Sequence, residues 1–251
     1  MINFFRKKRK SLADDNNALK YARYAIGEIL LVVIGILIAL QINNWNEQRK
    51  NANQELKLLH SFKIGLEKDL SDINLNIRIH TKGFNSANLI LSLLENDQPY
   101  HDSLATYFSH VMTPTIFVNS TSAFETLKSK GIDLISNKEL KNNLINVYDA
   151  QYTFFQKAED LFFEEQNIGL RTIFSSRFEE SYKYDTESTE IVGEIVPLNF
   201  ESLKTDQEFL YFLKTIKNRT NVIVNFNYKK LKAQVVGLIN AIKNEIEIIE
   251  N

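Results

Sequence analysis

The sequence predicts an all-α protein in which one transmembrane helix near the N-terminus continues toward a helical stalk and an irregular helical bundle. Three observations support this fold class. Residues 21–42 form an apolar run, and beyond it apolar residues recur every three or four positions, the period of a helix face. Helix breakers are rare, with three Pro and eight Gly in 251 residues. Neither a strong strand-like alternation nor an Asn-Gly hairpin signal competes with this interpretation.

The composition excludes several classes of protein. Because the chain has no Cys, it cannot be a disulfide-stapled fold or hold a Cys-ligated metal. Its 30 Lys and Arg nearly balance 31 Asp and Glu, so the overall charge does not indicate nucleic-acid binding. The charge is unevenly distributed, however. Residues 1–24 carry seven basic and two acidic side chains, whereas the body after the apolar run is mildly acidic.

The apolar run has the length and composition of a membrane span. Its 22 residues would extend ~33 Å as a helix, which matches the hydrocarbon core of a bilayer. Twelve of the 18 residues over 25–42 are Ile, Leu or Val, and their transfer free energy outweighs the cost of the single acid, Glu28. Three aromatic residues at the ends of the run suit interface anchors: Tyr21, Tyr24 and Trp45.

Two other interpretations of the run are a buried helix of a soluble protein and a cleaved signal peptide. Basic residues on one side disfavour the first, and the missing small-x-small pattern after Ala39 disfavours the second. An uncleaved anchor predicts a basic cytoplasmic arm (1–20), a transmembrane helix (21–42) and an extracytoplasmic helical domain (43–251). In a bacterium this is a single-pass inner-membrane protein with a periplasmic C-terminal domain.

Two segments resemble a known family. Residues 24–50, YAIGEILLVVIGILIALQINNWNEQRK, resemble the span of an uncharacterised family of Bacteroidota single-pass inner-membrane proteins. Residues 121–149, TSAFETLKSKGIDLISNKELKNNLINVYD, are similar to a second recurring piece of that family. The resemblance implies an inner-membrane anchor and a helical periplasmic body. It implies no catalytic or binding residues.

The three- and four-residue spacing of apolar residues predicts a series of helices in the body. The membrane helix is predicted to continue as a stalk to about His80, with Gly83 as its stop, and a shorter helix covers 86–95. Another short helix begins at residue 102 or 103 and ends before the Pro at 114.

A Ser or Thr followed three residues later by Glu is the capping-box pattern, and it predicts helix starts at Ser122, Ser136 and Thr205. Gly131 suits the C-terminal cap of the first of these helices, over 122–130.

The helix after Ser136 is predicted to reach about Gln166. The β-branched tract 218–228 is predicted to bend or interrupt the last helix, and the acidic segment 179–198 is the predicted loop. Four aromatic residues at helical spacing are interpreted as core rather than as a ligand pocket: Tyr148, Tyr152, Phe155 and Phe162.

Glu28 is the most unusual residue of the span. It either reaches the interface or bonds Tyr24, or it contacts a partner helix or takes part in ion or proton movement, because acids within membranes are costly and usually face protein. Four residues share one face of the span at four-residue steps: Gly27, Leu31, Gly35 and Ala39. Small residues at such spacing permit close helix approach, so we predict contacts with a partner or a second copy here.

A basic run lies in the N-terminal arm, formed by Arg6, Lys7, Lys8, Arg9 and Lys10. Such a run suits anionic lipid head groups, at about 1 kcal/mol per charge near the surface, and it also acts as a topology signal. We expect the bilayer, and no nucleic acid, to be its partner.

No pattern in the body predicts a cofactor, a metal site or catalysis. The four His are isolated, and we expect them on helical surfaces: His60, His80, His101 and His110. No P-loop, GxSxG or GxGxxG motif occurs.

Three functions therefore remain open. The first is a membrane-anchored interaction or scaffold protein with partners in the membrane or periplasm. The second is a ligand-sensing domain that signals through a separate membrane protein, and the third, least favoured, is an enzyme.

Overall fold

A computed structural model of the chain describes residues 18–181 and 193–250, with side chains from residue 22 onward. The basic run and the middle of the acidic loop lie outside these residues. In the described part every regular element is helical, and a single antiparallel bridge joins Phe178 to Pro197 beside the acidic loop. The predicted all-α fold is confirmed.

Eight α-helices follow one another along the described chain. They are α1 (Ala18–Glu95), α2 (Ser103–Met112), α3 (Ser122–Lys130), α4 (Lys138–Ile145), α5 (Tyr152–Thr172), α6 (Phe200–Leu203), α7 (Gln207–Val222) and α8 (Lys229–Glu250). Two π-helical segments, Asn146–Gln151 and Ile223–Tyr228, join α4 to α5 and α7 to α8. Short 3-10 turns cover Ile132–Leu134 and Phe174–Ser176.

The chain divides into two compact units, Met1–Gln54 and Glu55–Asn251. In the first unit, the described residues belong to α1, and their apolar side chains are exposed. The second unit is a helical bundle with its own apolar core.

The bundle core consists of two apolar clusters that share α1. The first cluster joins the 58–66 stretch of α1 to α4, α5 and α8, and the second joins its 87–94 stretch to α2, α6 and α7. Between these stretches, buried positions at three- and four-residue steps include the polar side chains of Asp69, Asn76 and His80. Buried polar groups need hydrogen-bond partners, so this middle part of α1 is where packing must be specific.

The prediction that Gly83 ends the first long helix is wrong, and no separate helix begins near residue 86. Helix α1 continues unbroken to Glu95. A Cβ atom at residue 83 would lie 2.8 Å from the backbone oxygen of His110 in α2. The glycine therefore permits close approach of α2 to α1 rather than a helix stop.

The helix over Ser122–Lys130 is confirmed, and Gly131 adopts the positive φ of 100° that a glycine accommodates best. The capping chemistry differs from the predicted boxes. No side-chain cap bond forms at the start of that helix, and Asn137 and Asp206, one residue after the predicted caps, accept the N-terminal N–H groups of α4 and α7.

Ser136 has another partner. Its N–H and hydroxyl groups both donate to the buried carboxylate of Glu55 in α1, at 2.8 and 3.0 Å. The helix after it passes through the first π-helical segment and ends at Thr172, beyond the predicted Gln166. In the tract 218–228 the α-helix is interrupted, because α7 ends at Val222 and a π-helical segment covers Ile223–Tyr228 before α8 begins.

Candidate functional site

The predicted membrane span lies in α1. Its helix is long and apolar enough to cross a membrane, with a mean hydropathy of 2.6 over its most apolar window and none of that window buried. A signal sequence near the N-terminus has the same properties. Tyr24 and Trp45 are 44% and 63% exposed, and the Arg49 guanidinium lies 5.9 Å from the Trp45 ring centroid. Tyr21 is helical, and its side chain lies outside the described residues.

The predicted contact face of the span is helical as expected, so Gly27, Leu31, Gly35 and Ala39 share one side of α1 with Glu28 next to it. A Cβ atom at Gly27 or Gly35 would meet no other atom within 4 Å. These glycines therefore serve no packing role among the described residues. Their role in contact with a partner or a second copy stays a prediction, as does the binding of lipid head groups by Arg6–Lys10.

A network of buried carboxylates lies at the centre of the bundle. Asp69 of α1 is fully buried and accepts hydrogen bonds from the Ser120 N–H and the Tyr152 hydroxyl, both at 2.7 Å. Burial raises the pKa of Asp69, and these hydrogen bonds oppose the rise. Among the described residues, neither Lys nor Arg pairs with this carboxylate.

Glu159 of α5 is the second buried carboxylate. Both of its oxygens accept from the Phe117 N–H, at 3.0 and 3.2 Å, and Oε1 also accepts from the Tyr228 hydroxyl. Burial raises its pKa to about 7, and the charges of Asp72 and Asp160 add to the rise. In the described part of the chain its donors are all neutral.

Asp72 and Asn76 extend the network along α1. Asp72 accepts from the Val118 N–H at 3.0 Å and from the Asn76 amide at 2.9 Å. The Thr115 hydroxyl donates to Asn76 Oδ1. Side chains of α1 and α5 thus accept three backbone N–H groups of the irregular segment 113–121, which has no sheet partner. This arrangement is structural: it fixes a loop between α2 and α3.

Two buried polar atoms next to the network have no hydrogen-bond partner among the described residues, His80 Nε2 and the Tyr148 hydroxyl. The His80 ring lies 5.3 Å from the Phe162 ring centroid and 5.5 Å from that of Tyr228. Burial lowers the pKa of His80 to about 4, so the ring is neutral at pH 7. The expectation of a surface position is therefore wrong for His80. The four aromatic residues that were predicted to be core are all buried: Tyr148, Tyr152, Phe155 and Phe162.

No cluster of three or more potential metal ligands occurs within residues 18–181 and 193–250. The buried network has Asp69 and Glu159 at its centre, and both side chains are buried. It supplies neutral donors and carboxylates already bonded to one another, which suits a rigid support better than a reaction centre.

The surface of the bundle also has an exposed apolar face on α5, on α7 and on the π-helical segment that follows α7, which we call the α5–α7 face. Its members are 54–75% exposed: Phe154, Leu161, Ile168, Tyr211, Val222 and Phe226. Phe154 and Phe226 line a groove together with apolar and polar side chains: Phe155, Leu231, Gln151, Asn227, Lys230 and Gln234. Protein interfaces ordinarily combine apolar and polar side chains in this way.

Three contacts fix how the two helices of this face run. Phe154 shares a groove with Phe226, the Glu165 carboxylate pairs with Arg219 at 2.7 Å, and Gly169 packs against the Phe212 ring. From one contact to the next, the residue numbers rise in α5 and fall in its partner, so the two helices are antiparallel. A Cβ at Gly169 would lie 2.0 Å from the Phe212 ring, which explains the glycine in this contact.

The sequence interpretation did not identify this face, because it followed the buried stripe of α5. A usable signal was present: Phe154, Leu161 and Ile168 repeat every seven residues beside that stripe. A second apolar row on an already amphipathic helix indicates a second contact.

Comparison with protein families gives a match to a family described as "Family of unknown function (DUF6090)", over residues 28–169, more than half of the chain. Comparisons with curated proteins and with solved structures give no match. The match confirms that the chain resembles an uncharacterised family. Its bacterial group and the particular span quoted for it stay predictions.

Proposed function

The chain belongs to DUF6090, a family of unknown function, and we propose that it is a membrane-anchored interaction protein with no catalytic role. In this proposal α1 holds the protein in a bacterial inner membrane, and the helical bundle binds other protein surfaces on the extracytoplasmic side.

The anchor part of the proposal rests on the exposed apolar stretch of α1. Twelve Ile, Leu and Val residues over 25–42 need an apolar environment that the described protein does not supply. The excess of Lys and Arg before the span favours a cytoplasmic N-terminus. Fusing an alkaline phosphatase to the C-terminus tests the orientation. The phosphatase is active if the body is periplasmic, and an inactive fusion would contradict the proposal.

The binding part rests on one observation, the α5–α7 face. Single exposed apolar residues are ordinary on a protein surface, whereas six large ones on α5, α7 and the adjoining π-helical segment are not. The charged pair Glu165–Arg219 lies within the face and gives it polar specificity in addition to apolar area.

Site-specific photo-crosslinking in native membranes tests the binding role. A photoreactive amino acid at Leu161 or Val222 should form adducts with protein. The matched control is Ile248 of α8, which is 69% exposed, compared with 63% for Leu161. Adducts at the face with none at Ile248 support the proposal. Equal labelling at all three sites, or none at the face, would contradict it.

A further inference from the structure

We propose that the partner of the α5–α7 face is the same face of a second copy of this chain. This inference rests on the proposed function, because it names the occupant of the surface that the proposed function uses. Three properties of the face support it: its area, its antiparallel geometry and the order of its charges.

The area suits a two-helix partner. At ~100 Å² for each exposed large side chain, the six apolar residues offer ~600 Å² per copy and ~1,200 Å² in a pair. That total reaches the lower end of specific protein interfaces. From Phe154 to Ile168 the face extends ~21 Å along α5, at ~1.5 Å per residue. Two such faces together make a four-helix arrangement of ordinary dimensions.

The geometry of the face is self-complementary. With a two-fold axis parallel to the helices, α5 of one copy lies opposite α7 of the other, and neighbouring helices across the interface are antiparallel. Residues at the same level then meet. Phe154 lies opposite Phe226 of the second copy, Leu161 opposite its Val222 and Ile168 opposite its Tyr211, so apolar side chains meet at all three levels.

The charged residues of the face are self-complementary as well. Glu165 on α5 and Arg219 on α7 are 27% and 50% exposed as side chains, so both remain accessible to a second molecule. The same two-fold axis places Glu165 opposite Arg219 of the second copy, and each intrachain pair becomes part of a four-charge network. Because the acidic residue on α5 and the basic residue on α7 lie at the same height along the helices, the face is electrostatically complementary to the same face of a second copy. A shared membrane would further favour the pairing by raising the local concentration.

The absence of Cys from the sequence allows a direct test in the full chain, reconstituted in lipid nanodiscs. One copy carries Leu161→Cys with one affinity tag, and the other carries Val222→Cys with a second tag. A short bismaleimide should link the two tags. The matched control pairs Leu161→Cys with Ile248→Cys, which should give at least tenfold less product. Equal yields from the two mixtures, or no product from either, would overturn the inference.

Charge exchange provides the second measurement. E165R and R219E each place like charges on both helices of the face, so each variant alone should self-associate at least tenfold more weakly than the unaltered chain. Mixing the two variants should restore association, because one face is then basic and the other acidic. A merely intrachain role of the ion pair predicts no rescue on mixing. If mixing gives no rescue, the second-copy arrangement is wrong.

The two proposals fail in different ways. If Leu161 and Val222 crosslink to a different protein while the two tags never link, the second-copy inference is overturned and the interaction role stands. If neither position forms any adduct and the chain is monomeric in nanodiscs, both are overturned.

Discussion

At the scale of single residues, the buried carboxylate of Glu159 should make the stability of the protein depend on pH. Its pKa of about 7 in the folded protein exceeds the ordinary 4.5, so the folded state binds a proton more tightly than the unfolded state. The free energy of unfolding should therefore fall as pH rises from 4.5 through 7, by ~3 kcal/mol at most. His80 acts in the opposite direction. Because its pKa falls from 6.5 to about 4, its contribution is lost as pH drops through that range.

Glu159→Gln isolates the first effect, because glutamine does not titrate and His80 is common to both proteins. Between pH 5 and pH 8, the unaltered chain should lose ~2.5 kcal/mol of unfolding free energy relative to the variant. Chemical denaturation of the full chain in detergent at both pH values measures this difference. Parallel pH profiles would show that Glu159 has an ordinary pKa.

The tyrosines beside Asp69 offer a matched pair. In Tyr152→Phe, Asp69 loses a hydroxyl donor at 2.7 Å, and we expect the free energy of unfolding to fall by about 1–3 kcal/mol. In Tyr148→Phe, the change removes a buried hydroxyl that has no partner among the described residues, so it should be neutral or slightly stabilising. Thermal unfolding of both variants under one condition decides the point. A larger loss for Tyr148→Phe would reverse the assignment.

At the scale of helices, Gly83 and Gly237 are both helical glycines with opposite surroundings. Ala is preferred over Gly in a helix by about 0.8–1.0 kcal/mol, so Gly237→Ala, whose Cβ meets nothing within 4 Å, should stabilise the protein. Gly83→Ala should instead destabilise it by about 1–3 kcal/mol, because the new Cβ collides with the His110 backbone. Comparison of the two unfolding midpoints tests this. Stabilisation by both would mean that α1 and α2 are not in close contact.

The same glycine illustrates what the sequence could predict. Stop signals correctly placed the end of α2 before the Pro at 114 and the end of α3 at Gly131, and helical periodicity correctly identified the buried aromatic stripe of α5. A glycine, however, suits both a helix end and a close helix approach, and only the position of α2 distinguishes them.

The caps show a related ambiguity. Ser136 and Asn137 are both residue types that favour N-caps. Asn137 is the residue that caps α4, because Ser136 instead bonds Glu55, 81 positions earlier in the chain.

At the scale of the whole molecule, long-range hydrogen bonds account for what the sequence could not predict. Hydrogen bonds of the 113–121 segment to Asp69, Asp72, Asn76 and Glu159 join residues that are 39 to 51 positions apart along the chain. No local sequence pattern predicts such pairs, and an isolated Asp or Glu on a helix is ordinarily interpreted as a solvent-exposed residue. The π-helical segments could not be predicted from the sequence either. One of them ends at Tyr228, whose hydroxyl donates to Glu159.

The division of the chain at Gln54 and Glu55 leads to a prediction for the whole molecule. Both apolar clusters lie after the boundary, so the bundle should keep its fold without the apolar span. A specific protease site inserted between these two residues should therefore release a body that is helical by circular dichroism and unfolds cooperatively. If the span is the anchor, the body should move from the membrane fraction to the soluble fraction on cleavage. A full chain already soluble before cleavage would contradict the anchor. A released body that aggregates or loses its cooperative transition would instead show that the bundle depends on the first unit.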